Sequence, residues 1–164
     1  LLTMCSATLS LSAQSYNSCN EALSSTTASA GTYSVTTING TVPSGFCFGD
    51  GANVTAAEWI KYVPTDDFSV TVSSDLAVNG DKDTRLHIFK GQCGSLICVA
   101  GDDDSGVLTG TNSSSYLSVA TFDAELGETY YIVWDNKWTN SSNFDFTISE
   151  TSTATMSPSR SPKW

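Results

Sequence analysis

Arg85-Leu86-His87-Ile88-Phe89-Lys90, followed by Gly91, is the stretch on which the fold reading turns. Leu86 and Ile88 fall on one face of an extended chain and His87 on the other, the period-2 pattern of a half-buried strand. Helical spacing does not fit it. Working outward, the same kind of run recurs at residues 32–38, 58–63, 68–73, 96–100, 116–122, 129–135 and 144–149. These runs are rich in Val, Ile, Thr, Tyr and Phe, side chains that fit a pleated surface. Gly, Asn and Asp separate them, as in Asn39-Gly40, Asn79-Gly80-Asp81, Lys90-Gly91 and Gly127-Glu128, where turns need residues tolerant of unusual dihedrals. Residues 19–25 read as a short helical turn. The expected class is all-β: a jelly-roll-like antiparallel β-sandwich of eight to nine strands.

The chain has 164 residues, enough for one domain with a real core. Charged residues make up 15%, below the usual share of about a quarter. Ser and Thr fill roughly three positions in ten, so polarity comes from hydroxyls and amides more than from charge. The net charge is −10, with seven Lys and Arg in all. That argues against nucleic acid, whose phosphates need basic partners, and against an anionic membrane surface. No apolar run is long enough to span a bilayer.

Three segments are expected. Residues 1–14 read either as the tail of a signal peptide ending near Ser12-Ala13-Gln14 or, because Thr8-Leu9-Ser10-Leu11-Ser12 alternates, as a donor strand. In the second reading Leu9 and Leu11 fill pockets on a neighbour's sheet. Residues 15–150 form the sandwich. Residues 151–164, rich in Ser, Thr and Pro, read as a linker or tail.

Cysteine usage points to an oxidising, extracellular or cell-surface location. Five cysteines occur, and if Cys5 leaves with a signal peptide an even four remain. Of the three connectivities open to four cysteines, the expected one pairs Cys19 with Cys47 and Cys93 with Cys98. Four Asn-x-Ser/Thr sites, at Asn39, Asn53, Asn112 and Asn140, are glycan acceptors where the source glycosylates secreted proteins.

Candidate chemistry is sparse. His87 is the single histidine; it reads as a surface or rim strand residue, with no nucleophile elbow to serve. The expectation is that the chain is not an enzyme. The sharpest polar cluster is acidic: Asp81-Lys82-Asp83 precedes one strand and Asp102-Asp103-Asp104 follows another. Loops of this kind supply the six to eight oxygens that calcium takes, and Asp83, Asp102 and Asp103 are its candidate ligands. The competing reading is that these acids accept backbone N–H bonds and fix their own loops. Trp138, in the polar run Asp135-Asn136-Lys137-Trp138, could stack on a sugar while the Asn136 amide bonds hydroxyls; a loop tryptophan folded over the sandwich edge is the alternative.

Taken in order, Trp59-x-x-Tyr62-Val63-Pro64, Asp83-Thr84-x-Leu86-x-Ile88-Phe89, Cys93 and Cys98, Asp102-Asp103, Phe122, Gly127-x-Thr129-Tyr130-Tyr131-Ile132-Val133 and Phe144-x-Phe146-x-Ile148 resemble the bacterial pre-peptidase C-terminal domain in its cysteine-containing form. The resemblance spans about residues 19–150. It implies a jelly-roll-like sandwich appended to secreted proteins, non-catalytic, serving secretion, adhesion or substrate targeting, with some relatives binding calcium or collagen. By position, Asp83 and Asp103 would be the loop acids and Trp59 a core residue. Asp104 is extra to the pattern, and no peptidase or hydrolase region accompanies it here.

Two functions are therefore expected. One is a structural or adhesive building block of a surface assembly or filament, its partners other copies of itself or a surface protein. The other is a targeting module, calcium-binding and directed at a polysaccharide.

Overall fold

The computed structural model describes residues 15–138 and 141–153. A short helix, α1 (Cys19–Leu23), precedes eight strands: β1 (Gly31–Val35), β2 (Ala57–Tyr62), β3 (Phe68–Ser73), β4 (Arg85–Gln92), β5 (Ser95–Asp102), β6 (Val119–Ala124), β7 (Tyr130–Asp135) and β8 (Phe144–Ser152). They form two four-stranded antiparallel sheets, ordered β1-β8-β3-β6 and β2-β7-β4-β5. This is the expected all-β sandwich. The donor candidates Leu9 and Leu11, Cys5, and the tail from residue 154 lie outside the described residues.

Alternation explains the core. Val70 and Val72 from β3, Phe144, Phe146 and Ile148 from β8, and Leu86, Ile88, Ile132 and Trp134 from β4 and β7 meet between the sheets. Trp134 packs edge-on against Phe144 at 4.9 Å between ring centroids, a geometry that suits the ring quadrupoles.

The sheet β2-β7-β4-β5 is also covered on its outer face. Ala22 and Cys19 of α1 lie there against Trp59, Phe89, Tyr131 and Val133. Burial on both faces is why β7 reads as an almost unbroken apolar run. Trp59 is a core residue in this second layer, its indole N–H donating to the Thr41 carbonyl at 2.7 Å. Ser18 caps α1 through its hydroxyl, which accepts the Glu21 N–H.

The cysteines pair differently from expectation. Cys19 joins Cys93, and Cys47 joins Cys98, with Cα separations of 5.6 and 5.2 Å. The reason lies in the β4–β5 hairpin. Cys93 sits at its tip and Cys98 partway along β5, opposite Phe89. From Ser95 to Cys98 the extended chain alone runs about 10 Å away from the tip, beyond disulfide reach. Each cysteine instead meets what covers its part of the sheet: α1 over the tip, and the loop before β2 over β5. Gly101 permits the second contact, since a Cβ there would meet Cys47 at 3.0 Å.

Strand boundaries shift by three residues at three places. The run at 144–149 continues as a strand to Ser152, two residues into the segment read as a linker or tail. The run at 32–38 ends as a strand at Val35. The run at 116–122 begins as a strand only at Val119, because Ser118 turns its N–H and hydroxyl to Ser74 and Thr84.

Non-reducing proteolysis with mass spectrometry is expected to recover cross-linked 19–93 and 47–98 peptides; a 93–98 link would contradict the hairpin geometry. Replacing Cys47 and Cys98 together by Ala should lower stability by about 2–4 kcal/mol in urea titrations.

Candidate functional site

Antiparallel pairing brings the start of β4 beside the ends of β5 and β7, with Leu86 opposite Asp102 and Arg85 opposite Asp135. Every acidic loop singled out in the sequence therefore opens at one end of the sandwich. Several of its carboxylates are already committed to securing loop backbone. Asp75 accepts the Val107 and Leu108 N–H groups at 3.0 and 2.9 Å. Asp81 accepts from Thr111 and Asn112. Asp102 accepts from the Ser105 N–H and hydroxyl at 3.1 and 2.5 Å and from the Val119 N–H at 2.7 Å, tying its loop to β6.

Asp102 thus fixes a loop, and the structure places it outside the acidic group that remains. That group is Asp83, Asp103 and Asp104, whose nearest carboxylate oxygens all lie within 4.8 Å of one another. Asp83 Oδ1 is buried with no hydrogen-bond partner. Burial, reinforced by the charges of Asp104 and Asp103, pushes the Asp83 carboxyl up to about 7. Asp103 is raised by burial, against the opposing hydrogen bond from Trp138. Asp104 is raised by burial and by Asp103 and Asp102. Three carboxylates converging with one oxygen unsatisfied is an arrangement that stores repulsion until a proton or a cation enters.

Trp138 frames this group. Its indole N–H donates to Asp103 Oδ1 at 2.9 Å, and its ring stays 39% exposed. Lys137 Nζ lies 5.5 Å from the ring centroid and bonds Asp50 at 2.7 Å. Asn136 is not free to serve a ligand. Its Oδ1 accepts the Thr55 and Ala56 N–H groups, each at 2.9 Å, and its amide donates to Thr55 Oγ1 at 2.8 Å. It clamps the chain entering β2.

His87 departs furthest from its reading. Alternation does turn it away from Leu86 and Ile88, but that outer face is roofed by Phe46 and Cys47, and the imidazole is fully buried. The Cys47 N–H donates to Nδ1 at 3.1 Å, so Nε2 carries the proton and donates to Asp135 Oδ2 at 2.8 Å. Arg85 reaches the same carboxylate through Nε at 2.9 Å and Nη2 at 2.5 Å, and the Asp50 carbonyl through Nη1 at 2.8 Å. Burial would raise the Asp135 carboxyl, but hydrogen bonds from His87, Arg85 and the Lys137 N–H together hold it below the ordinary value. Both ring nitrogens of His87 are occupied by structure. Neither Arg85 nor Asp135 was singled out in the sequence, though both lie in strand positions where a charge is unusual.

Of the glycan acceptor positions, Asn39, Asn53 and Asn112 are exposed, and Asn140 lies outside the described residues. No known protein family matches the chain, and neither a curated protein nor a solved structure is similar enough to it to carry an argument.

Asp135→Ala is expected to destabilise the domain by about 3–5 kcal/mol, because it strands a buried guanidinium; urea titration measures it. A loss below 1 kcal/mol would mean that Arg85 finds water or another anion.

Proposed function

We propose that the chain is a non-catalytic extracellular module, a structural or adhesive building block, whose rim holds a divalent cation between Asp83, Asp103 and Asp104. The observation that carries the reading is the buried, partnerless Oδ1 of Asp83 inside that group. Calcium suits it, since oxygens about 2.3–2.6 Å from a common centre lie up to about 5 Å apart. The Trp138 N–H on Asp103 would orient that ligand from outside, as groups behind metal ligands commonly do. Commitment of the single histidine to Asp135 and Cys47 supports a non-catalytic role, and two disulfides support an extracellular one. The resemblance to the pre-peptidase C-terminal domain is in keeping with both.

Calcium at a hundredfold over its Kd should add about 2.7 kcal/mol, a rise of about 5–10 °C in Tm for a domain of this size. Asp83→Asn should remove the response. Equal Tm in calcium and in chelator would overturn the cation reading.

The proton should compete. A carboxyl whose pKa is about 7 folded and 3.8 otherwise holds its proton more tightly in the native state. Its contribution to stability is full below 3.8 and is lost as pH rises through about 7. Asp135, shifted the other way, loses its contribution only under more acidic conditions. In chelator, Tm should therefore fall between pH 5 and pH 8. Saturating calcium should flatten that fall, and a slope that calcium leaves unchanged would place the titration elsewhere.

Glycan targeting is a second reading, favoured by the exposed Trp138 ring at the edge of the cation group. It expects Trp138→Ala to abolish retention on immobilised polysaccharide while keeping the calcium-dependent rise in Tm. Retention unchanged by that substitution would remove the stacking role.

A further inference from the structure

The two disulfides hold unlike parts of the fold. Cys19–Cys93 ties α1 to the hairpin tip, and Cys19 is buried in the layer formed by Trp59, Phe89 and Tyr131. Cys47–Cys98 ties the loop before β2 to β5, and Cys98 is exposed. Disulfide exchange begins when an external thiolate reaches one of the two sulfurs, so access decides which bond opens first.

What the exposed bond holds is a roof with few other ties. From Val42 to Asp50 no main-chain group bonds another main-chain group among the described residues. The segment is pinned at two points instead. At Cys47 the ties are the disulfide and the N–H donated to His87 Nδ1 at 3.1 Å. At Asp50 the carbonyl accepts from Arg85 Nη1 at 2.8 Å, and the carboxylate meets Lys137 Nζ at 2.7 Å. Between these points Phe46 lies edge-on to the His87 ring, with 5.5 Å between centroids, and 5.2 Å from the Arg85 guanidinium. Beneath the roof His87, Arg85 and Asp135 are all buried. Segments with few main-chain bonds open at low free energy unless something else closes them, and here the closure is covalent.

We propose that Cys47–Cys98 is a redox latch: a dithiol reductant opens it while Cys19–Cys93 stays closed, and the opened roof admits water to the His87–Arg85–Asp135 group. A thiolate of the reductant attacks Cys98 Sγ. The S–S bond breaks, and its electron pair goes to Cys47 Sγ, which takes up a proton. The second thiolate of the reductant then displaces Cys98, which is protonated in turn, and the reductant leaves as its own disulfide. The protein thus gains two electrons and two protons. The freed Cys47 thiol has an acceptor in place, the Ile88 carbonyl at 3.3 Å from Sγ. A thiol is a weak donor, so this contact lets the roof open yet keeps Cys47 near Cys98 for reoxidation. The sandwich outlasts the opening, because the core between the sheets contains neither Cys47 nor Cys98, and Cys19–Cys93 still holds α1 over the outer face. None of Asp83, Asp103 and Asp104 takes part, so the latch stands independently of the cation reading.

Graded reduction of the full chain with dithiothreitol, followed by differential alkylation and mass spectrometry, tests the order of opening. Cys47 and Cys98 should be labelled at a reductant concentration about tenfold below that which labels Cys19 and Cys93. In the selectively reduced protein, amides 44–50 should exchange hydrogen about tenfold faster, with those of β3 and β8 unchanged, and reoxidation should restore protection. Cys47→Ser combined with Cys98→Ser should exchange at the fast rate without reductant and ignore its addition. Simultaneous labelling of all four cysteines, or earlier labelling of Cys19 and Cys93, would overturn the latch. So would unchanged protection at 44–50 after selective opening, which would mean that His87 and Arg85 hold the roof alone. A double variant that does not fold would overturn it as well, since the sandwich must outlast the opened bond.

Discussion

The carboxylate of Asp135 is the point from which the acidic end of this sandwich is organised. It ends β7, the strand buried on both faces, and there it meets Arg85 and His87 from the neighbouring β4. A carboxylate placed so deep would be unstable alone. Arg85 supplies the opposing charge, and His87 supplies a neutral N–H. The consequences run outward from both partners. His87 accepts the Cys47 N–H and Arg85 donates to the Asp50 carbonyl, so the loop that roofs the outer face is positioned by the same ion pair. Asp50 then holds Lys137, and Lys137 lies over Trp138, which bonds Asp103. One buried charge thus couples the covering loop to the rim where the remaining acids converge.

That coupling separates two kinds of acid at the same end of the fold. Asp75, Asp81, Asp102 and Asp135 all have donors, and each secures a piece of backbone or a buried cation. Asp83, Asp103 and Asp104 hold raised carboxyls, and one of their oxygens has no partner. Acidity at a loop cluster is ordinary; acidity left unsatisfied after the loops have been secured is what carries the cation argument. A cation entering there would relieve repulsion within the group rather than hold the sandwich together. The core between the sheets and the layer under α1 are built from other residues.

The strands were legible where local pattern alone decides them. The run at 68–73 alternates cleanly and coincides with β3, and the runs around Ile88 and Ile132 are strands as read. What could not be read was anything set by distant chain. His87 was assigned to the correct face but the wrong environment, because its roof comes from residues about 40 positions earlier, and no periodicity encodes that contact. The disulfide pairing failed for the same reason, since it depends on what lies over each part of the hairpin. Among three consecutive aspartates, position in the run does not reveal which is free. A local signal did exist: Ser105 stands three residues after Asp102, the spacing at which a carboxylate accepts a following N–H and hydroxyl. Asn136 carried no such mark, as its partners Thr55 and Ala56 lie about 80 residues away.

The same disulfides that escaped sequence reading bear on what the surface can do. Both end in the β4–β5 hairpin, one at its tip and one within β5. A sheet edge held by cross-links at two points cannot relieve its unpaired backbone by fraying, although the bulge at Val99 breaks its register partway along. Charge is the usual deterrent to pairing at such an edge, and a chain this acidic had every means to place it there. Asp123 on β6 shows the deterrent in use on the opposite sheet. Its absence from residues 91–101, where Ile97 and Val99 are exposed, therefore sets β5 apart from the other edges on physical grounds. Apolar and neutral, that strand is the sheet edge that charge guards least.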